Sequence, residues 1–236
     1  MVIFDEKKHT YIDSETGKEL MSVTRLIGKY KPVFDKQEAA TRVANREGLT
    51  VEFVLDLWDK EKNRACDYGT DIHKVMEDFL TEGKVDEQYQ SLYDSYKKWE
   101  HIFKKFPKLK CEEQLNNIDF NIAGTADLLY ENKTHFYIGD FKTNKAFRFF
   151  SEYNEFFKAP LDHLSVCEFN TYALQLSIYA LLYEKMSGKK CNGLVVFYKN
   201  KPTETWYPIR MNYMKSEVID LIDDYNNPNS LSSKIA

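Results

Sequence analysis

Apolar positions follow two rhythms along this chain, and the change from one to the other divides it near residue 108. Ile72, Val75, Met76, Phe79 and Leu80 recur at helical spacing and predict a helix over about 67–82. Helical stretches are also expected near 35–47, 50–62 and 87–105, the last ending before Pro107. Residues 109–116, 122–130 and 135–142 then read as three strands, the last two joined at Glu131-Asn-Lys-Thr134. A variable stretch leads to an amphipathic helix over about 170–187, stopped by Ser187-Gly188. Strands at 193–199 and 204–209, a helix at 213–225 and a frayed tail after Pro228 complete the pattern. At the front, residues 2–12 predict a short hairpin, Ser14-Glu-Thr-Gly17 a turn, and Ser22 caps a short helix. From residue 67 the order is helix, three strands, helix, strand. That order is an α/β (α+β) fold with a mixed central sheet flanked by helices.

Charges interrupt the most apolar strands. If Asn132-Lys133 form a two-residue turn, paired positions sum to 265 and residue 127 faces 138. Directly opposed residues share a face, so Asp127, Asp140 and Lys142 project from one side beside Ile138. A solvated surface alternation is the alternative, but Phe136-Tyr-Ile-Gly-Asp-Phe141 and Ile122-Ala-Gly-Thr-Ala126 are apolar settings. Carboxylates there are costly without a partner. A divalent cation is a suitable one.

Bulk composition narrows the class of function. The 236 residues fit one large domain, and 43% hydrophobic residues supply a core. A net charge of −4 argues against a protein that coats nucleic acid through a broad positive field. It leaves room for a local basic groove. The four cysteines, at 66, 111, 167 and 191, form no CxxC pair, so neither zinc nor an iron–sulfur cluster is expected. They read as buried, reduced thiols, Cys111 and Cys167 in the core. With no signal-peptide-like start and no apolar run of membrane-spanning length, a cytoplasmic location in a bacterial or phage-infected cell is expected.

Gly124-Thr-Ala-Asp127, followed by Gly139-Asp140-Phe-Lys142-Thr143, resembles the two halves of the PD-(D/E)XK nuclease motif. Three further segments resemble its RecB-like branch: Gly69-Thr-Asp-Ile-His73-Lys-Val-Met-Glu77, a strand glutamate at Glu112 or Glu113, and Gln175-Leu-Ser-Ile-Tyr179. Their order and spacing run from about 69 to 200. His9-Thr-Tyr and Ser22-Val-Thr-Arg25 resemble the leader of phage nucleases and of mitochondrial genome maintenance exonucleases. The resemblance implies one nuclease domain over 1–236 with a restriction-endonuclease-like αβββαβ core at 67–209. Residues 1–66 would be an N-terminal hairpin and helical extension, and 210–236 a C-terminal helix and tail. It implies Mg2+ or Mn2+ held by His73, Asp127, Asp140 and the Phe141 carbonyl. Lys142 would activate water or stabilise transition-state charge, with Glu112 the strand glutamate. Gln175 and Tyr179 would either contact DNA or buttress the lysine.

Nucleic-acid contacts are expected from two segments. Lys142-Thr143-Asn-Lys145-Ala-Phe147-Arg148-Phe149-Phe150 interleaves cations with rings, which suits a single strand or a loop whose rings pack on the core. Ser22, Thr24 and Arg25 would bind phosphate at a helix N-terminus or merely cap it. No sequence-reading module or P-loop is present, so an end-processing exonuclease is favoured over a site-specific enzyme. Its partners would be DNA, single-stranded or with free ends, and a helicase or single-strand-binding protein. The competing readings are an inactive nuclease-like DNA-binding subunit, a structure-specific endonuclease or an RNA nuclease.

Overall fold

The computed structural model describes residues 2–5, 8, 10–199 and 204–228; His9 of the leader and the tail beyond Pro228 lie outside them. Strands β1 (Val2–Asp5), β2 (Thr10–Asp13) and β3 (Glu19–Ser22) form an antiparallel meander, one strand more than the hairpin expected from 2–12. It joins the central sheet because β3 pairs in parallel with β5 (Ile122–Glu131). The sheet runs β1-β2-β3-β5-β6-β7-β8, with β6 at His135–Lys142, β7 at Lys190–Tyr198 and β8 at Tyr207–Met211. Strand β4 (Lys108–Asn117) pairs with β5 off this path. Parallel and antiparallel pairings coexist, so the sheet is mixed, as expected.

Helices cover both faces. On one lies α5 (Glu168–Ser187), buried continuously from Ala173 to Tyr183. A helix apolar on every side must be covered on every side. Alongside it α1 (Val23–Lys29) and α6 (Lys215–Asn226) complete a core with Leu115, Leu129, Phe136 and Ile138 of the sheet. On the other face Ile72 and Met76 pack with Leu92, Tyr93 and Tyr96 of α4 (Gln90–Lys97) against Leu128, Tyr130 and Phe141.

Two helices differ from expectation. The stretches near 50–62 and 67–82 are one helix, α3 (Val51–Glu82), capped by the Thr50 hydroxyl and ended by Gly83 in the left-handed conformation. No glycine or proline stands between 62 and 67, so nothing stops propagation. At 32 residues α3 is about 48 Å long. Its first half packs through Val54 on Ala40 and Ala44 of α2 (Lys36–Glu47), and its second half on the sheet. The expected helix at 87–105 is instead broken after Lys97. The Trp99 N–H bonds the Tyr96 carbonyl, and a 3-10 turn at Glu100–Phe103 stacks Phe103 on Tyr130 at 4.0 Å. Burying that ring outweighs continuing the helix.

Candidate active site

Strand β5 has two different edges. Along one, β4 pairs from Lys108↔Glu131 to Asn117↔Ile122, interrupted only between Cys111↔Leu128 and Glu113↔Ala126. Along the other, β3 pairs only with Ile122 and Ala123, and β6 only from Leu128 to Glu131. Residues 124–127 therefore border a wedge in the sheet. Gly124 lines it, and an added Cβ there would lie 2.6 Å from Tyr179 Cε1. Asp127 stands at its apex, where its carboxylate accepts the Phe141 N–H at 2.8 Å in place of a ladder carbonyl.

The observed β5–β6 register sums to 267, not 265. The Asn132 side chain accepts the N–H groups of Thr134 and His135, holding a longer connection than a two-residue turn. A shift of two preserves which positions share a face; a shift of one would have reversed it.

Both strands change face at the site. Leu109 and Cys111 of β4 face α3, but Leu115 faces α5, although strict alternation would keep all three together. Ala126 of β5 faces α5 while Leu128 and Tyr130 face α3. The irregular residues are opposed: Glu112, at φ 48°, lies across from Asp127 in the β4–β5 register. A left-handed glutamate inside a strand costs about 1–3 kcal/mol, strain that proteins concentrate at functional sites. It turns Glu112 toward Asp127, whereas Glu113 pairs with Lys110 at 2.6 Å.

Three donors converge there. His73, Glu112 and Asp127 each offer a ligand atom within 4.8 Å of the others. His73 Nε2 bonds the Phe141 carbonyl at 2.9 Å, and since a carbonyl only accepts, Nε2 carries the proton. In the neutral ring, Nδ1 then points a lone pair at Asp127 Oδ2, 3.3 Å away. Two acceptors face each other, an arrangement that a cation between them resolves.

Asp140 stands beside this set, not in it. It is buried, its Oδ2 lies against the Lys142 ammonium without hydrogen-bond geometry, and its Oδ1 meets Gln175 Nε2 at 3.5 Å. Gln175 also donates to the Tyr179 hydroxyl at 3.2 Å. Burial, then the Asp127 charge, push the Asp140 carboxyl above its usual range, against the pull of Lys142 and His73. Burial alone would lower the Lys142 ammonium, but Asp140 and Asp127 outweigh it and hold it above the ordinary lysine value. Glu112 opens onto a cleft and keeps contact with water. Close packing around its carboxyl, then the Asp127 charge, nevertheless push it up to about 7.

Glu112, Asp127 and Asp140 thus face one permanent cation, Lys142. Hard oxygen donors and an imidazole lone pair fit a divalent ion of the Mg2+ or Mn2+ kind.

His73 separates two cavities. One, of about 670 Å3, is lined by Trp58, Lys62, Arg64, Lys142, Lys145 and Tyr172 among others. The other, of about 850 Å3, is lined by Lys74, Glu77, Glu112, Gln114 and Thr125 among others. Of the expected nucleic-acid contacts, Thr143 and Lys145 line the first cavity. Arg148 lines a separate cavity of about 340 Å3 and pairs with Glu152 and Glu168. Ser22, Thr24 and Arg25 line neither cavity beside His73; Ser22 caps α1, and Arg25 pairs with Glu19 at 2.6 Å. Tyr179 is buried and turned inward onto Gln175. Phe147 packs beside Tyr172, while Phe150 is exposed, so the aromatic run divides between core and solvent. Cys167 is buried and Cys111 partly so, but Cys66 is exposed in the first cavity, against the expectation of a buried thiol. Sequence reasoning missed Trp58, Lys62, Arg64 and Tyr172. No motif marks them, and only the unbroken α3 brings the first three beside Lys142.

Among the described residues, no helix is long and apolar enough to cross a membrane. No family model matches the chain, and no curated protein matches it. Among solved structures it is similar to the protein SSO0001, at 15% identity and TM-score 0.40 over 89% of this chain and 76% of that one. It is also similar to a Eubacterium rectale protein named as a candidate exonuclease, at 14% identity and TM-score 0.40 over 95% and 86%. Likeness at that level assigns no family and no activity to the chain.

Proposed function

We propose that the protein is a metal-dependent DNA nuclease that hydrolyses phosphodiester bonds, acting as an exonuclease on DNA ends. One observation carries this reading: His73, Glu112 and Asp127 converge within 4.8 Å beside the buried Asp140 and its ion-pair partner Lys142, which is partly open to the cavity. His73, Glu112 and Asp127 would hold Mg2+ or Mn2+, with Asp140 and the Phe141 carbonyl adjacent. The ion would supply positive charge against a phosphate and acidify a nearby water.

The chain's own groups divide the remaining work. The Phe141 N–H fixes the Asp127 carboxylate, and the Phe141 carbonyl fixes the imidazole, so one residue's backbone orients two donors. Lys142 keeps its proton and presents a fixed cation toward the oxygen on which negative charge grows. Asp140 restrains that ammonium, Gln175 restrains Asp140, and the Tyr179 hydroxyl anchors Gln175. Gly124 leaves the space that the Tyr179 ring fills.

End-labelled linear and covalently closed circular DNA, incubated with Mg2+, Mn2+ or EDTA, test the reading beside Lys142→Ala and Asp140→Asn. Shortening of linear DNA only, in metal only, and lost in both variants, is expected. Intact substrate in every metal condition removes the nuclease reading, and cleavage of the circle removes the exonuclease one.

A further inference from the structure

The two cavities meeting at His73 differ in charge. The cavity beside Lys142 carries Lys62, Arg64, Lys142 and Lys145 against a single carboxylate, Glu61. The cavity beside Glu112 carries Lys74 against Glu77 and Glu112. A polyanion approaching the site is drawn to the first and repelled from the second. The first also contains two rings, Trp58 from α3 and Tyr172 from α5. Trp58 is half-buried against the α2–α3 packing, and Tyr172 carries the Lys142 ammonium 5.0 Å from its ring centre. Tyr172 is further fixed by its hydroxyl, which donates to Asn144 at 3.1 Å. Glu61 and Lys145 approach to 3.6 Å, so the long helix and the segment after β6 flank the same opening.

Rings that are partly held and partly open, among cations, are the combination that binds an unpaired nucleotide: the base stacks and the phosphate is neutralised. A volume of about 670 Å3 lies within the range of pockets that enclose a small organic ligand. We propose that this cavity is a nucleotide subsite, in which Trp58 and Tyr172 receive an unpaired base and Lys62, Arg64 and Lys145 hold the adjoining phosphate. The proposal rests on the nuclease reading for its biological meaning, since it places the bound strand on the Lys142 side of the metal-ligand set. Its binding step is independent of cleavage.

The test exploits the chain's three tryptophans. Trp206 is buried and Trp99 is half-buried, its indole N–H donating to the Trp206 carbonyl, which leaves Trp58 as the one in the cavity. Titrating the full chain in EDTA with a short single-stranded oligothymidylate should quench its fluorescence saturably. An abasic oligomer of equal charge should quench little, and Trp58→Phe should abolish the signal while retaining most of the affinity. Trp58→Ala should weaken binding about 5- to 100-fold, the worth of one base–aromatic stack. Lys62→Glu combined with Arg64→Glu should weaken binding and flatten its salt dependence, the slope falling by about 0.7 for each phosphate that is no longer neutralised. Should Trp58→Ala fold poorly, alkylation of Cys66, exposed in the same cavity, provides a readout without substitution; the oligomer should slow it. Equal quenching by the abasic oligomer, or unchanged Cys66 alkylation at saturating oligomer, overturns the proposal. Metal-dependent cleavage with no Trp58 quenching would sink the subsite and leave the nuclease reading standing. Quenching without cleavage in any metal would do the reverse.

Discussion

Strand β5 carries two acidic residues four positions apart whose surroundings are opposite. Glu131 is buried at one end, where Lys108 (2.9 Å), Lys189 and the Tyr183 hydroxyl all reach its carboxylate. Burial opposes its charge, but these three partners win and hold the carboxyl down at about 2. In the middle of the strand, Asp127 shares its space with Glu112 and Asp140, and the partners are too few. Glu112 is pushed up to about 7, and Asp140 is raised too. A saturated cluster is built to hold the fold. An unsaturated one lowers stability unless something absent from the chain completes it. The contrast, more than any single motif, marks the wedge as the functional part of the strand.

The largest effects should separate the two clusters. Asp127→Asn should cut cleavage by about 1000-fold or more, because it removes a donor from the metal set. Its thermal stability without metal should be unchanged or higher, since one repelling charge is gone. A large fall in Tm would mean that Asp127 is structural. Glu131→Gln should do the converse, destabilising by about 3 kcal/mol as Lys108 and Lys189 lose their shared buried anion. Its activity at low temperature should match the parent's, and loss of activity without loss of Tm would break the comparison.

Acid should expose the saturated cluster in the same way. The folded pKa of Glu131 lies below its unfolded value, so its stabilisation is present above pH about 4.5 and is lost as pH falls toward 2. The loss is about 3 kcal/mol at most. Urea midpoints across that window should fall in the parent and fall less in Glu131→Gln. Next in size, Mg2+ or Mn2+ at about 100 times its Kd should add about 2.7 kcal/mol of stability. Calorimetry should show that gain in the parent and in Glu131→Gln, and none in Asp127→Asn. The smallest effect belongs to Tyr179→Phe, which removes the hydroxyl that anchors Gln175. Cleavage should fall less than about 10-fold, since Lys142 and Asp140 stay in place; a larger loss would give the hydroxyl a direct role.

The sheet positions of the site were readable because side-chain alternation is insensitive to a register error of two residues. Placing the hairpin two residues out leaves Asp127, Asp140 and Lys142 at positions of the same alternation, although Asp140 then stands beside the His73, Glu112 and Asp127 set and not in it. The alternation failed where the backbone departs from it. The left-handed Glu112 reverses the faces of β4, and no pattern of residue types announces that conformation in a non-glycine. Glu112 and Glu113 are therefore distinguishable only in three dimensions. The fused α3 was hidden for another reason: its middle is polar and mostly exposed, so its apolar rhythm lapses although the helix continues. With it were hidden Trp58, Lys62 and Arg64, which join the site through rigid extension of a helix and not through any local motif.

Anomalous diffraction from a crystal soaked in manganese probes the wedge most directly. A single strong peak should appear between His73 Nδ1, Glu112 and Asp127, within about 2.0–2.4 Å of an Asp127 oxygen. A well-ordered crystal with no peak there, or with the ion seated elsewhere on the sheet, would contradict the account.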